Sequence, residues 1–316
     1  MNPTTMSAKV TEYLTFRREL GYQLLTEDRL LQQFARHADD TGHRGPLTTE
    51  LALRWARLPS GADRLYKARR LEIVRCFARH LAATEPGTEI PGRGLLGPAH
   101  RRTSPHIFSK EEVTGLLAAA GRLSPPKALR GHTYRTLIGL LAACGLRISE
   151  ALHLENRDAD LVRGLLTIRE TKFRKTRLIP LHSTVAESLQ VYVVARDWIV
   201  PTPQCNRFFV NDGGFELPYW TVRTVFRKLC DALPISATAR RPRLHDLRHT
   251  FACRRVEQWH DAGIDVAQAI AALSVYLGHA KVTDTYWYLT ATPDLMARAA
   301  TRFEVFVQPT EKEVQP

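Results

Sequence analysis

No uncharged apolar stretch in this 316-residue chain reaches the roughly 20 residues that a membrane span requires; Leu137–Leu146, which stops at Arg147, covers about half of that. The opening MNPTTMSAKVTEY lacks the basic-then-apolar order of a secretory leader, so no membrane or export route is expected. Cysteine is sparse. Cys76, Cys144, Cys205, Cys230 and Cys253 include no CxxC pair, which argues against a disulfide framework or a thiolate zinc site. Several lie inside apolar-periodic stretches and read as buried thiols in a reducing cytoplasm. Acidic residues are in deficit, 32 against 45 Lys and Arg, leaving a formal charge of +13. Such a surplus points to a polyanionic partner, because each neutralised phosphate releases a condensed counterion. Charge alone does not separate DNA, RNA and an anionic membrane surface.

What is present suits two globular domains: 44% hydrophobic residues, 24% charged, and enough length for two cores. Residues 1–84 read as a helical domain. Val10, Tyr13, Leu14 and Phe16 open one apolar face; Leu30, Leu31, Phe34 and Ala35 form the next; a third helix spans about Thr49–Arg57, with Thr48 and Thr49 as candidate caps. In the fourth, about 62–83, Arg64, Lys67, Arg75 and Arg79 fall on one side and Ile73, Val74, Phe77 and Leu81 on another. A basic stripe is usually a solvated face; in a chain this cationic, contact with phosphates is the better expectation. Residues 85–105 are crowded with Gly and Pro and predict a linker, in which Arg93, Arg101 and Arg102 could track a nucleic-acid backbone. The second domain, 106–307, opens on a capping box of Ser109 and Glu112. Helices follow at 132–143, 183–199, 219–233 and 245–262, and strands at 165–169 and 177–180 flank a hairpin. The tail 308–316 is polar. The fold expected is mainly α with a small antiparallel β-sheet.

Four segments carry residues suited to phosphate chemistry. In His-Asp-Leu-Arg-His at 245–249, His245 and Arg248 share one helical face, pairing a forked guanidinium with an imidazole that can shuttle a proton. His249 is four from His245, a zinc-ligand spacing, but Asp246 stands where a metalloprotease needs Glu, and no Cys or carboxylate cluster completes a site. Gly-Leu-Arg-Ile-Ser-Glu at 145–150 presents Arg147 at the edge of an apolar stretch, ordinarily a snorkelling position. The hairpin carries Lys172, Arg174, Lys175 and Arg177, either a soluble edge or a set of groups for the minor groove. Leu-Gly-His at 277–279 is followed nine residues later by Tyr288, which alone would read as a packing residue.

The order Arg, Lys, His-x-x-Arg, His, Tyr resembles the tyrosine recombinase, or phage integrase, family over about residues 105–300, and the first domain resembles its helical core-binding module. The resemblance implies a two-domain DNA clamp and a catalytic set of Arg147, Lys172, His245, Arg248, His279 and Tyr288. It implies Glu150 as acidic support for the site. Arg147 and Arg248 would grip the scissile phosphate, Lys172 would match the hairpin lysine, and Tyr288 the nucleophile. Lys175 is a rival to Lys172, Phe173 stands where the family usually has Gly, and Tyr286 is a second hydroxyl near Tyr288. Arg64, Lys67, Arg75, Arg79, Arg101, Arg102, Arg174, Lys175 and Arg177 are the expected DNA-binding residues.

A phenol with a pKa near ~10 is a poor nucleophile at neutral pH, so two fixed guanidiniums must stabilise charge building on phosphorus. Lys172 could protonate the leaving 5′-oxygen. The resemblance implies a 3′-phosphotyrosyl intermediate, which needs neither ATP nor a metal or other cofactor. It also implies double-stranded DNA as partner and a homotetramer on two DNA sites, with or without related recombinases. A helix starting at Thr292-Pro293, with Leu295, Met296, Ala299, Phe303 and Phe306, would dock on a neighbour or on its own core. The competing expectations are relaxation by a type IB topoisomerase-like enzyme and a DNA-binding accessory protein without catalysis.

Overall fold

The computed structural model describes residues 5–100, 104–125, 128–169, 176–235, 241–279 and 281–286. The chain divides into two compact units, Met1–Thr103 and Ser104–Pro316.

The first unit is built on α1 (Met6–Glu19), α2 (Leu25–Asp40), α3 (Thr49–Arg57) and α4 (Arg64–Leu81). Thr5, Thr48 and Asp63 each accept a first-turn amide at a helix start, from Ala8, Leu51 and Tyr66, so three of the four helices begin on side-chain caps. Their apolar faces meet in one core that includes Val10, Leu14, Leu30, Leu31, Phe34, Trp55, Val74 and Phe77. Asp39 on α2 ties down the start of α1 by accepting from the amides of Met6 and Ser7.

Much of the expected linker belongs to this unit. Glu85 pairs with Lys9 at 2.5 Å, the Glu89 amide donates to the Leu47 carbonyl at 2.8 Å, and Arg75 donates to the Pro91 carbonyl at 2.8 Å. Gly and Pro there supply turns that fold the chain back on α3 and α4; the division between units comes later, after Thr103.

The second unit opens with α5 (Lys110–Gly121), where Ser109 and Glu112 form the expected capping box. Next come α6 (Leu129–Cys144) and the short α7 (Ile148–Leu152). Three short strands, β1 (Ala159–Asp160), β2 (Leu165–Ile168) and β3 (Arg177–Pro180), form an antiparallel sheet in that order, with Leu166 opposite Ile179. Leu166, Ile168 and Ile179 point to the core, as the two-residue period requires. Then follow α8 (Ser183–Ile199), α9 (Tyr219–Asp231), α10 (Leu244–Asp261), α11 (Val266–Leu277) and α12 (Thr283–Tyr286). The main core gathers Leu116, Leu137, Leu141, Tyr192, Phe208 and Phe226, and a smaller cluster joins Phe251, Val256, Ile270 and Leu277 of α10 and α11. The mainly helical fold with a small antiparallel sheet is the one expected. Among the described residues no helix is long and apolar enough to cross a membrane, and Cys144, Cys230 and Cys253 are buried thiols.

Candidate active site

Two glycines shape the site. α6 ends on Gly145 at φ 61°, and an added Cβ there would stand 2.4 Å from the Phe251 ring. α11 ends on Gly278 at φ 67°, where a Cβ would come within 2.8 Å of the Arg177 guanidinium. Both positions need the left-handed backbone and the missing side chain together.

The C-terminal carbonyls of a helix have no partner within it and carry its negative pole. At the end of α11 three arginines supply what the helix lacks. Arg177 from β3 donates to the Tyr276 carbonyl at 2.8 Å, Arg248 from α10 to Leu277 at 2.6 Å, and Arg147 from the start of α7 to Gly278 at 2.9 Å. Arg248 also donates to the Gly145 carbonyl at 2.8 Å, which joins the ends of α6 and α11 through one buried guanidinium, 1% exposed. Residues far apart in sequence are thereby gathered on the Leu-Gly-His turn.

One carboxylate organises two of these arginines. Glu150 accepts four hydrogen bonds: from Arg147 through its amide at 2.9 Å and Nη1 at 2.8 Å, and from Arg177 at 3.1 and 2.8 Å. That fills the usual capacity of a carboxylate. Burial alone would raise the Glu150 pKa; Arg177 first, then Arg147, more than offset it and hold the group below the ordinary carboxylate range. Arg147 uses two of its five N–H groups in these side-chain bonds and stays partly exposed, so it can still reach a phosphate.

His279 continues from the turn. Its Nε2 lies 3.0 Å from Arg248 Nη2 and its Nδ1 2.7 Å from the Thr285 hydroxyl. His245, on α10 one turn before Arg248, faces solvent, and its ring meets that of buried His249 edge-on at 4.8 Å. Desolvation by surrounding protein and then the charge of Arg248 push both His245 and His279 down to about 4; desolvation and then His245 do the same to His249. All three are neutral at pH 7. Around the turn Arg147, Arg177 and Arg248 are set against the charge of Glu150 with His245 and His279 neutral, while the Arg243–Asp246 pair and Asp284 lie within electrostatic reach, a balance that stays positive and suits an anion.

Residues 107–294 match the phage integrase family. The protein y4rB of Sinorhizobium fredii, named as an integrase/recombinase, is 39% identical over 95% of this chain and 98% of its own length. This chain belongs to the phage integrase family. The tyrosine recombinase XerC of Chlorobaculum tepidum is 29% identical over 86% of this chain and 85% of its own. The fold is shared with the Tn1549 transposon integrase solved with transposon right-end DNA, at TM-score 0.68 and 17% identity over 96% of this chain and 100% of that one. It is shared also with the XerH recombinase bound to a palindromic difH substrate, at TM-score 0.67 and 18% identity over 88% and 79%. The chain is an enzyme of the tyrosine recombinase type.

Within this recombinase, Arg147, Glu150, Arg248 and His279 come together around the 277–279 turn, and His245 stands within electrostatic reach of Arg147 and Arg248. Lys172, Arg174, Lys175 and Tyr288, with Arg101 and Arg102, lie outside the described residues, as does the segment from Thr292 to Phe306. Two expected DNA-binding residues are largely enclosed in this structure. Arg177 is turned inward, its side chain 12% exposed and committed to Glu150 and Tyr276. Arg75 is equally enclosed, bonded to Pro91 and Glu72 where the 85–97 segment folds over it. Arg64 and Arg79 remain exposed and Lys67 half-buried, so the basic stripe of α4 is narrower than its sequence predicts. Unforeseen was buried Arg70, which stacks 3.7 Å over Trp55 and donates to its carbonyl. Thr285, fully buried against His279, was also unforeseen; a threonine six residues after a histidine carries no signal of its own. Among the described residues no group of three His, Cys, Asp or Glu could hold a metal ion.

Proposed function

We propose that this recombinase cuts and rejoins double-stranded DNA at specific sites by transferring a phosphodiester to the phenol of Tyr288. Family membership, the XerC and XerD relatives and the likeness to recombinases solved on DNA support site-specific DNA recombination. The observation that carries the residue roles is the arginine-capped end of α11: Arg147 and Arg248 hold successive carbonyls of the turn that presents His279. Two guanidiniums so fixed are positioned before charge develops on the phosphoryl oxygens.

In the first step the Tyr288 oxygen bonds to phosphorus and the P–O5′ bond breaks, with Lys172 giving its proton to the leaving 5′-oxygen. His245, neutral at pH 7, is suited to accept the phenolic proton. The 3′-phosphotyrosyl bond conserves the energy of the broken linkage, so a 5′-hydroxyl from another strand can displace the tyrosine in the reverse sense. Arg147 and Arg248 supply the charge stabilisation a metal provides elsewhere, and strand cleavage is expected to survive EDTA. Assembly as a homotetramer on two DNA sites belongs to the same proposal.

The test uses a nicked duplex selected for binding by the wild-type chain from a randomised pool. Tyr288→Phe should bind it normally and form no protein–DNA adduct stable to denaturation. An adduct in that variant would reassign the nucleophile, with Tyr286 the first replacement to try.

A further inference from the structure

His279 has a hydrogen-bond partner on each ring nitrogen, and the two partners differ in kind. Arg248 has N–H groups and nothing to accept with, so at 3.0 Å it requires a lone pair on Nε2. A neutral imidazole then carries its proton on Nδ1 and donates it to Thr285 Oγ1 at 2.7 Å. In that tautomer Nε2 has no proton to offer a phosphate oxygen. The Thr285 side, by contrast, is reversible, because a hydroxyl can accept from Nδ1–H or donate to a bare Nδ1. Thr285 is 0% exposed, and it lies three residues before Tyr288 in sequence.

We propose that Thr285 is a positioning residue whose hydroxyl holds His279 through Nδ1 and permits it to exchange tautomers between the free and DNA-bound enzyme. In the free enzyme Nδ1–H donates to Thr285 and Nε2 accepts from Arg248. When a phosphate takes the Arg248 donor, one proton leaves Nδ1 for solvent and one arrives at Nε2 from solvent. The ring remains neutral, Nε2–H donates to a phosphate oxygen, and the Thr285 hydroxyl rotates to donate to Nδ1. A carboxylate at 285 would lock the first state, and an apolar side chain would leave Nδ1 buried without a partner. The same bond ties the segment leading to Tyr288 to the phosphate grip. This inference rests on the reading that His279 faces the scissile phosphate.

Two measurements test it. In the wild-type chain with 15N-labelled histidine, the His279 signals, assigned by their absence in His279→Ala, should report Nδ1–H in the free protein. In Tyr288→Phe bound to the selected duplex they should report Nε2–H. An Nε2–H tautomer in the free protein, or the same tautomer in both states, overturns the proposal without any variant at position 285. In the adduct assay Thr285→Val should slow adduct formation by about 10- to 100-fold with affinity unchanged, the cost of one unsatisfied buried nitrogen, and Thr285→Ser should restore most of the rate. If Thr285→Val keeps the native rate while His279→Ala and Tyr288→Phe lose theirs, the proposal fails and the reading of the site stands. An adduct in Tyr288→Phe overturns both.

Discussion

The arginines of α4 and those around the end of α11 are the same residue in opposite situations. Arg64 and Arg79 project from the first unit with solvent around them. Arg248 and Arg177 are enclosed, and each spans partners from elements distant in sequence. An exposed guanidinium attracts a polyanion at long range, is screened by salt, and gains its geometry only when the ligand arrives. A buried one has its charge matched in advance by helix-end carbonyls and by Glu150, so its position is set before DNA is present. The first kind suits affinity and the second suits chemistry. Arg70 and Arg75 show that the division is not between the two units, since the first is buried and the second half-buried within the first unit, and both serve its architecture.

The comparison breaks most readily at Arg248. An ammonium cannot reach the Gly145 carbonyl, the Leu277 carbonyl and His279 from one planar group, so Arg248→Lys should reduce adduct formation by roughly 10²- to 10³-fold while keeping the charge. A rate within a fewfold of wild type would mean that charge alone suffices and the enclosed geometry adds nothing. Gly145→Ala tests the scaffold behind it. With φ at 61° and a Cβ 2.4 Å from Phe251, the substitution should cost roughly 2 kcal/mol. Calorimetry should then find the second unit melting about 4–8 °C lower; an unchanged Tm would show that Phe251 moves freely.

Acid should separate the two regions next. His245, His249 and His279 are held near 4 in the folded chain, below the ~6.5 of an unfolded histidine. Between those values the unfolded state binds more protons, so stability rises with pH. Their contribution is complete above about pH 6.5 and is lost as pH falls toward 4, where Glu150, depressed in the fold, begins a further loss. Urea titrations of the chain across this range, read on probes in each unit, should show the steeper decline in the second. A flat profile from pH 7 to 4.5 would contradict it. The smallest effect is expected at Arg79→Ala, a fewfold loss of affinity for duplex DNA with the salt dependence reduced by about one unit of slope. Its adduct rate at saturating DNA should not change, and a large fall would move Arg79 to the other side of the comparison.

Features set by neighbours in sequence were legible at once. The Ser109–Glu112 capping box, the Thr48 cap of α3 and the span of α8 need only a few adjacent residues. The order and spacing of Arg147, His245, Arg248 and His279 were legible for the same reason. The enclosure of Arg75 and Arg177 was not legible, because periodicity assigns a helix face or a strand side and is silent on what else folds over it. For Arg75 that is the 85–97 segment, and for Arg177 it is Glu150 together with the end of α11.

By itself the sequence determined the spans of most helices, the Ser109–Glu112 capping box, and the list of groups able to handle a phosphate. Only the tertiary structure decided which positive charges face inward and which remain available. The bonds that decide it join Arg248 to Gly145 across 103 residues and Arg147 to Gly278 across 131. Local propensity reaches a few residues, whereas the electrostatic environment of a buried charge depends on every element packed against it.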